Sequence, residues 1–282
     1  MNEINLAQQD WALARSEGLT LALVVEQGQL APEQRLLLAD GPPIWPLMNQ
    51  PQIGHLRAEG PALLDLSNQT FGQQQALGQS LDACAMHGWL SSPLAIAELT
   101  QHLGDALACR DSRGEVLLIR SYARTVLPKL HARQDLPWHA WLFGPLTCCW
   151  LPQARGWQRL AGNGLRTAPG FQPIELDESL EQALGRDPHA RALLAQLQAE
   201  APEVFASTCH DKRLAQVEST LTLAREAGLQ STADQSYFTL YSLLEGQPMQ
   251  QRKDWPEIRQ LVEQQGHGLA QAQHMVEERT QP

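Results

Sequence analysis

The chain has 282 residues, of which 43% are hydrophobic and 18% are charged, and its formal net charge at pH 7 is −10. This composition is typical of a globular protein that can bury a core as one large domain or two small ones. The negative charge argues against nucleic acid as the main partner, because phosphate backbones bind clustered Lys and Arg. No apolar run approaches the length of a membrane span, and the first residues lack the basic-then-apolar pattern of a secretory leader. We therefore expect a cytoplasmic protein without a membrane span.

Helices and strands alternate along the first half of the chain. The apolar spacing predicts helices over 3–15, 32–39 and 71–87, with Gly88 ending the third, and strands over 19–25 and 62–66. Pro32 stands in the first turn of its helix, where the missing N–H costs no hydrogen bond. This alternation predicts a mixed α/β lobe.

The stretch from Gly88 to Leu151 is predicted to form the core of that lobe. Apolar residues recur at helical spacing from Ser92 to about Leu107, and Ser91 or Ser92 is expected to cap this helix. The apolar positions are Ile96, Leu99, Leu103 and Leu107.

A hairpin is expected after this helix. Asp111-Ser-Arg-Gly114 predicts a type I turn between strands over 107–110 and 115–122. The residues from Val116 to Ile119 are apolar without alternation, which predicts a strand covered on both faces.

Five cysteines, an odd number without a regular framework, indicate reduced thiols. Cys148 and Cys149 are adjacent in a predicted strand over 146–151, so their side chains should point to opposite faces of the sheet. That geometry is poor for a shared metal ion, and we expect structural thiols.

The pattern changes after Trp150. Glycines and prolines between 156 and 173 predict a linker, with Trp157 on an edge strand, and every signal beyond Ile174 is helical. We therefore predict an α+β fold with a mixed α/β lobe over 1–170 and a helical lobe over 171–282. The expected helix caps are Asp177, Asp187, Ser231 and Asp254. The expected apolar faces are Leu214, Val217, Leu221 and Ala224 on one helix, Tyr237, Leu240, Tyr241 and Leu244 on the next, and Ile258, Leu261 and Val262 on a third.

Motifs for chemistry are missing from the sequence. Ser91 and Ser92 are near His87 and His102, but neither serine stands in a Gly-x-Ser-x-Gly elbow, so we interpret both as capping residues. There is no His-x-x-x-His or Cys-x-x-Cys spacing, and His131 and His139 form no recognisable pair. We expect a non-enzymatic protein with no metal and no cofactor.

One set of residues in the central stretch carries a family pattern. It comprises Ser91, Pro93, Leu99, His102, Leu103, Gly114, Arg120, Tyr122, Val126, Leu127, Phe143, Gly144 and Pro145. The set resembles the signature of type VI secretion effector chaperones, adaptors that share a domain long catalogued as of unknown function. The family's Tyr-Asp-Pro-Arg-Val-Leu run reads Tyr122-Ala-Arg-Thr-Val-Leu127 here, without the acidic residue and the proline. A weaker likeness continues at Ala224, Gly228, Leu229, Asp234, Phe238, Gly246 and Pro256.

The resemblance implies a bacterial cytoplasmic adaptor with a mixed α/β lobe joined to a helical lobe. Its implied partners are one cognate secreted effector, a toxin, and the VgrG or PAAR spike protein onto which that toxin is loaded. Two alternatives from other classes stay open: a small hydrolase with an unrecognised site, and an immunity protein that neutralises a toxin.

The candidate partner-binding residues are Arg120, Tyr122, Trp138, Trp141, Phe143, Tyr237 and Tyr241. The aromatic members either pack in a core or offer anchor side chains to another protein, because such side chains dominate binding hot spots. Arg120 and Tyr122 end the predicted central strand, where they either contact a partner or belong to a strand-end salt bridge.

Overall fold

The computed structural model describes residues 3–81, 84–153, 156–184, 188–207 and 209–280. By its internal contacts the chain divides into two compact units, Met1–Leu184 and Gly185–Pro282. The first unit contains the sheets and the second is helical, so the fold is α+β as predicted. The division falls later in the chain than the predicted boundary at 170–171.

The first unit contains two β-sheets. Its strands are β1 (Thr20–Glu26), β2 (Ile44–Pro46), β3 (Pro61–Asp65), β4 (Met86–Ser92), β5 (Ala108–Arg110), β6 (Val116–Leu118), β7 (Cys148–Gln153), β8 (Gly156–Ala161) and β9 (Ile174–Glu175). Its helices are α1 (Glu3–Ser16), α2 (Pro32–Ala39), α3 (Phe71–Ser80), α4 (Ile96–Asp105), α5 (Leu127–His131), α6 (Trp138–Phe143) and α7 (Glu178–Leu184). Six strands form an antiparallel sheet in the order β2-β3-β1-β4-β7-β8, and the other three form a smaller sheet in the order β6-β5-β9. The pairing of β5 with β9 is parallel.

Both faces of the six-stranded sheet are covered. On one face, alternate residues of β1 such as Leu23 pack against Trp11 of α1 in one core. On the other face, Val24 packs in a second core with residues of α4, α5 and α6. Burial on both faces explains why the sequence of β1 is apolar almost throughout.

Strand β4 lies where the sequence predicted the end of one helix and the start of the next. α3 ends at Ser80, α4 begins at Ile96, and residues 82–83 of the predicted helix lie outside the described part. Ser91 and Ser92 therefore belong to β4 and do not cap a helix. β4 is a central strand between β1 and β7, so that inter-strand pairing and burial of Trp89 and Leu90 on opposite faces outweigh the local helical signal.

Most elements with a strong local signal form as predicted. The helix predicted over 3–15 is α1, and the helix predicted over 32–39 is α2. In the hairpin turn, Gly114 N–H donates to the Asp111 carbonyl over 2.9 Å, and the Asp111 carboxylate accepts from the Glu115 N–H over 2.8 Å. The flanking strands are shorter than predicted.

The prediction that the strand after this turn is covered on both faces is wrong. The exposed fractions of Val116, Leu117 and Leu118 are 69%, 45% and 57%. β6 is the edge strand of the smaller sheet, so only β5 covers it from the side. An apolar run without alternation indicated burial on two faces, but here it marks a strand that is open on both.

The second unit is helical, as predicted. It contains α8 (Pro188–Glu200), α9 (His210–Glu226), α10 (Thr232–Leu244), α11 (Trp255–Gln265) and α12 (Leu269–Thr280). The predicted apolar face of α9 is buried, with Val217 and Leu221 fully enclosed. No helix in the described ranges combines the length and apolarity that a membrane crossing requires.

The predicted helix caps have different outcomes. Asp177 accepts a hydrogen bond from the Leu180 N–H over 2.8 Å and caps α7, and Ser231 accepts from the Asp234 N–H and caps α10. Asp254 precedes α11, but its carboxylate accepts hydrogen bonds from Arg252 and makes no cap. Asp187 lies outside the described residues.

The buried face of α10 is rotated from the predicted stripe. The buried residues are Gln235, Phe238, Thr239, Ser242 and Leu243. Tyr237, Leu240 and Tyr241 flank this face and are partly buried, while Leu244 is exposed. Gln235, Thr239 and Ser242 are polar, so hydropathy alone did not identify the inner face. Burial of Gln235 and Ser242 is possible because their side chains donate hydrogen bonds to the carbonyls of Leu229 and Phe238, respectively.

Candidate partner-binding site

Two of the predicted site residues meet at an acidic side chain that the sequence did not single out. Arg120 Nη2 donates to Glu26 Oε2, and Arg120 Nε donates to Tyr122 Oη over 3.2 Å. Tyr122 Oη donates in turn to Glu26 Oε1 over 3.4 Å. His87 Nε2 donates to Glu26 Oε2 over 3.2 Å, and its ring meets the edge of the Tyr122 ring at 5.1 Å. We call these four residues the Glu26 cluster.

Sheet order brings the members of the Glu26 cluster together. Glu26 is the last residue of β1, and His87 lies in the neighbouring strand β4. The register of this pair shifts from Val24 opposite Gly88 to Val25 opposite Met86, so His87 is the extra residue of a β-bulge. A bulge re-aims a side chain, and this one directs His87 to Glu26. Gly88 has a φ of +132°, a conformation that side-chain-bearing residues rarely adopt.

The electrostatics of the Glu26 cluster favour an ionised carboxylate and a neutral phenol. Burial by itself raises the pKa of Glu26, but the hydrogen bond from His87 and the positive charge of Arg120 outweigh it, so this pKa lies below its usual value. Burial, with the nearby Glu26 charge, raises the pKa of Tyr122 well above its usual value. The Glu26 carboxylate thus accepts hydrogen bonds from three residues, His87, Arg120 and Tyr122. It ties the chain that follows β6 to the central strand β1.

An exposed apolar strand lies just before Arg120 and Tyr122 in the chain. Val116, Leu117 and Leu118 form β6, and we call this strand with its unpaired side the β6 edge. Its register with β5 places Val116 opposite Arg110 and Leu118 opposite Ala108, both of which are exposed. Leu117 lies opposite Cys109, which is buried. The β6 edge therefore offers apolar side chains on both faces of the small sheet.

The predicted aromatic residues of α6 are buried. Trp138, Trp141 and Phe143 expose 2%, 3% and 2% of their surface and pack in the core that includes α4 and α5. Trp138 Nε1 donates to the Glu175 carbonyl over 3.0 Å, and the Trp141 ring lies 5.0 Å from the half-exposed Phe171 ring. This placement fits the core-packing alternative, and partner binding by these residues stays a prediction.

The two predicted tyrosines of the second unit lie in a polar cluster on α10 and α12. Tyr237 Oη donates to Gln273 over 3.2 Å. Arg252 donates to Tyr241 Oη and its guanidinium lies 4.9 Å from the centre of that ring. Arg252 also pairs with Asp254 and Glu277. Both residues are partly buried, and their contact with a partner stays a prediction.

The residues considered for hydrolysis have other neighbours. Ser91 is fully buried with its Oγ 3.3 Å from Cys148 Sγ, and Ser92 Oγ donates to the Pro145 carbonyl over 2.8 Å. His102 Nε2 donates to the Leu142 carbonyl over 3.0 Å. These pairs contain no hydroxyl beside a histidine, so they give the hydrolase alternative no support.

The sequence did not pair His131 with His139, but the structure brings their rings within 5.5 Å. Each Nε2 donates to a carbonyl, His131 to that of Ala161 and His139 to that of His131. Burial lowers the pKa of His139. Within the ranges that the structure describes, no group of three His, Cys, Asp or Glu side chains is arranged to hold a metal ion.

The comparisons with known proteins identify one domain. No curated protein and no solved structure matches the chain. Residues 23–138, less than half of the chain, match the model of a family described as Domain of unknown function (DUF4123). This family is known as a domain associated with type VI secretion effector adaptors and chaperones. The match includes the whole Glu26 cluster and the β6 edge, whereas Trp141, Phe143, Tyr237 and Tyr241 lie outside it.

Proposed function

We propose that this chain is a non-enzymatic adaptor for a type VI secretion effector. It binds one cognate toxin in the cytoplasm, keeps it stable, and assists its loading onto a VgrG or PAAR spike protein. The observation that carries this proposal is the match of residues 23–138 to DUF4123, a family associated with such adaptors.

The exposed apolar surface in the matched region supports a binding role. Val116, Leu117 and Leu118 are consecutive, apolar and exposed, whereas edge strands are commonly protected by charges, prolines or bulges. A toxin segment with apolar surface would aggregate alone, and burial against such a strand offsets the cost of ordering it. Release then requires a competing contact, which the spike protein provides.

The proposal is tested by deleting the gene for this chain in the bacterium that encodes it, with the secretion apparatus intact. We expect one toxin-like effector to lose abundance in the cytosol and to disappear from the secreted fraction, because it is neither stabilised nor loaded. Secretion of the shared tube protein should continue, which controls for a general defect. Returning the full chain on a plasmid should restore the effector.

Two results would contradict the proposal. If every effector remains as abundant and as well secreted as before, the chain is not an effector adaptor. If secretion persists but the deleted strain becomes sensitive to the toxin of its neighbours, the immunity-protein alternative is correct.

A further inference from the structure

The free side of β6 presents backbone groups as well as side chains. The hydrogen bonds from Asp111 N–H to Glu115 O, at 3.0 Å, and from Ile119 N–H to Leu107 O, at 2.8 Å, bracket the ladder between β5 and β6. Backbone direction alternates along a strand, so Leu117 faces β5 while Val116 and Leu118 turn their N–H and C=O groups outward. Among the described strands, only β5 pairs with β6. The outward groups form a template for one more strand.

We infer that an extended apolar segment of the effector adds to the β6 edge as a further β-strand. This inference rests on the proposed function and names the way in which the partner is bound. The added strand bonds to the outward backbone groups of Val116 and Leu118. Its side chains alternate between the face of Val116 and Leu118 and the face of Leu117, so apolar residues are required at consecutive positions.

A strand fits this surface better than a helix does. A helix has no free backbone donors or acceptors along its sides, so covering β6 with a helix would bury the outward N–H and C=O groups of Val116 and Leu118 without partners. Such burial is unfavourable, because each group would lose its hydrogen bonds to water. An added strand replaces those bonds directly.

A short segment fits this surface better than a second folded copy of the chain. The three exposed side chains offer apolar area on the order of a few hundred Å², whereas a stable interface between folded proteins buries about 800 Å² on each partner. Strand addition needs less side-chain area because the backbone ladder supplies part of the affinity. The occupant is therefore a segment in extended conformation, with β-branched and other apolar residues and no proline at the pairing positions.

The test uses the full chain and the effector that deletion identifies, in a binding titration with purified proteins. The double variant Val116→Lys/Leu118→Lys places two charges on the edge. We expect its affinity for the effector to fall by at least about tenfold, because a charged edge opposes strand addition. The matched control is Leu36→Lys/Leu37→Lys on α2, which adds the same charge at two apolar residues that are also exposed, at 71% and 49%. This control should bind like the unmodified chain.

Backbone pairing is tested separately from side-chain contact. Leu118→Pro removes an N–H that points away from β5, so it should weaken effector binding while leaving the β5–β6 ladder intact. Hydrogen exchange on the unmodified complex should show slower exchange in the peptide that contains residues 116–118. Circular dichroism and thermal unfolding establish that each variant is folded before its effector binding is measured. If Leu118→Pro does not fold, the binding of Val116→Lys/Leu118→Lys alone tests strand addition.

The outcomes separate this inference from the proposed function. If the unmodified chain binds the effector and the lysine variant binds it equally well, strand addition at the β6 edge is refuted and the adaptor function stands. Binding that tolerates Leu118→Pro but not the lysines would indicate a side-chain groove and would also refute it. A dimer of the chain that the lysine variant dissociates would make a second copy the occupant. If the unmodified chain binds no effector, the adaptor function fails and the inference fails with it.

Discussion

The substitution Glu26→Gln tests whether the Glu26 cluster fixes the chain after β6 to the central sheet. The glutamine has the size of glutamate but no charge. Its carbonyl oxygen can replace Oε2, to which both His87 and Arg120 donate, so that its NH₂ group faces Tyr122 Oη. The hydrogen bonds to His87 and Arg120 then lose the contribution of the negative charge. Glu26 exposes 17% of its side chain and His87 exposes 1%, so these groups gain little water in return. We expect the substitution to destabilise the first unit.

The magnitude follows from the number and burial of the bonds lost. A hydrogen bond to a charged group contributes about 1.5–3 kcal/mol to stability, and Glu26 accepts such bonds from His87 and Arg120. Arg120 is about one-third exposed and regains solvent, which reduces its share. The expected loss is therefore about 2 kcal/mol in the free energy of unfolding.

Urea unfolding of the full chain, followed by tryptophan fluorescence, measures this change. Seven of the eight tryptophans lie in the first unit, since only Trp255 belongs to the second, so the signal reports mainly on the first unit. With an m-value of about 2 kcal/mol per M, the midpoint should move to lower urea by about 1 M. The matched control is Glu59→Gln, because Glu59 pairs with Arg35 at the exposed surface, and this substitution should leave the midpoint unchanged.

The pH dependence provides a second check on the same variant. The pKa of Glu26 is lowered in the folded protein, so its contribution is present above the ordinary value of 4.5 and is lost as pH falls through the lower folded value. The difference between the unmodified chain and Glu26→Gln should shrink as the pH falls below about 4.5. An unchanged midpoint, or a difference that does not shrink in acid, would refute this reasoning.

Three further substitutions or reactions test the first unit. Gly88→Ala should cost about 3 kcal/mol or more in the same urea titration, because φ is +132° and a Cβ would lie 2.2 Å from the Trp150 carbonyl oxygen; a loss under about 1 kcal/mol would contradict this geometry. Cys148 should resist a thiol reagent at pH 8 until urea unfolds the chain, because burial raises its pKa to about 11, and rapid labelling of the native protein would show that the site is open. Trp138→Phe should lower stability by about 1–2 kcal/mol in thermal unfolding, since it removes the hydrogen bond to the Glu175 carbonyl, and an unchanged melting temperature would deny that bond a stabilising role.

Local signals account for the elements that the sequence predicted well. α2 begins at Pro32, the hairpin turn runs from Asp111 to Gly114, and α9 has a continuous apolar face, and each of these features is contained in one short window. No short stretch of sequence predicts β4. Its residues are strand because β1 and β7 pair with it on both sides, and those strands are distant in sequence.

The candidate site was predictable only in part for the same reason. The family resemblance singled out Arg120 and Tyr122, which follow β6, but not Glu26 or His87, with which they interact. Glu26 ends β1, and His87 is aimed by a bulge that is defined by the register between two strands. Neither residue has a local motif, so sheet order had to be known before the cluster could be assembled.

The strand β6 shows why hydropathy patterns identify a buried strand only when the partner is also known. Val116, Leu117 and Leu118 have the pattern of a strand covered on both faces, and in this chain no described element covers either face fully. The hydropathy pattern indicates that these side chains favour burial, but it does not indicate which molecule buries them. An apolar edge strand in a folded protein is open to unwanted pairing, and a bound partner strand would occupy its free backbone groups and reduce the exposure of its side chains. The prediction of two-sided burial is therefore wrong, and in our proposal an added strand lies beside β6 and places its own side chains next to Val116 and Leu118 on one face and next to Leu117 on the other.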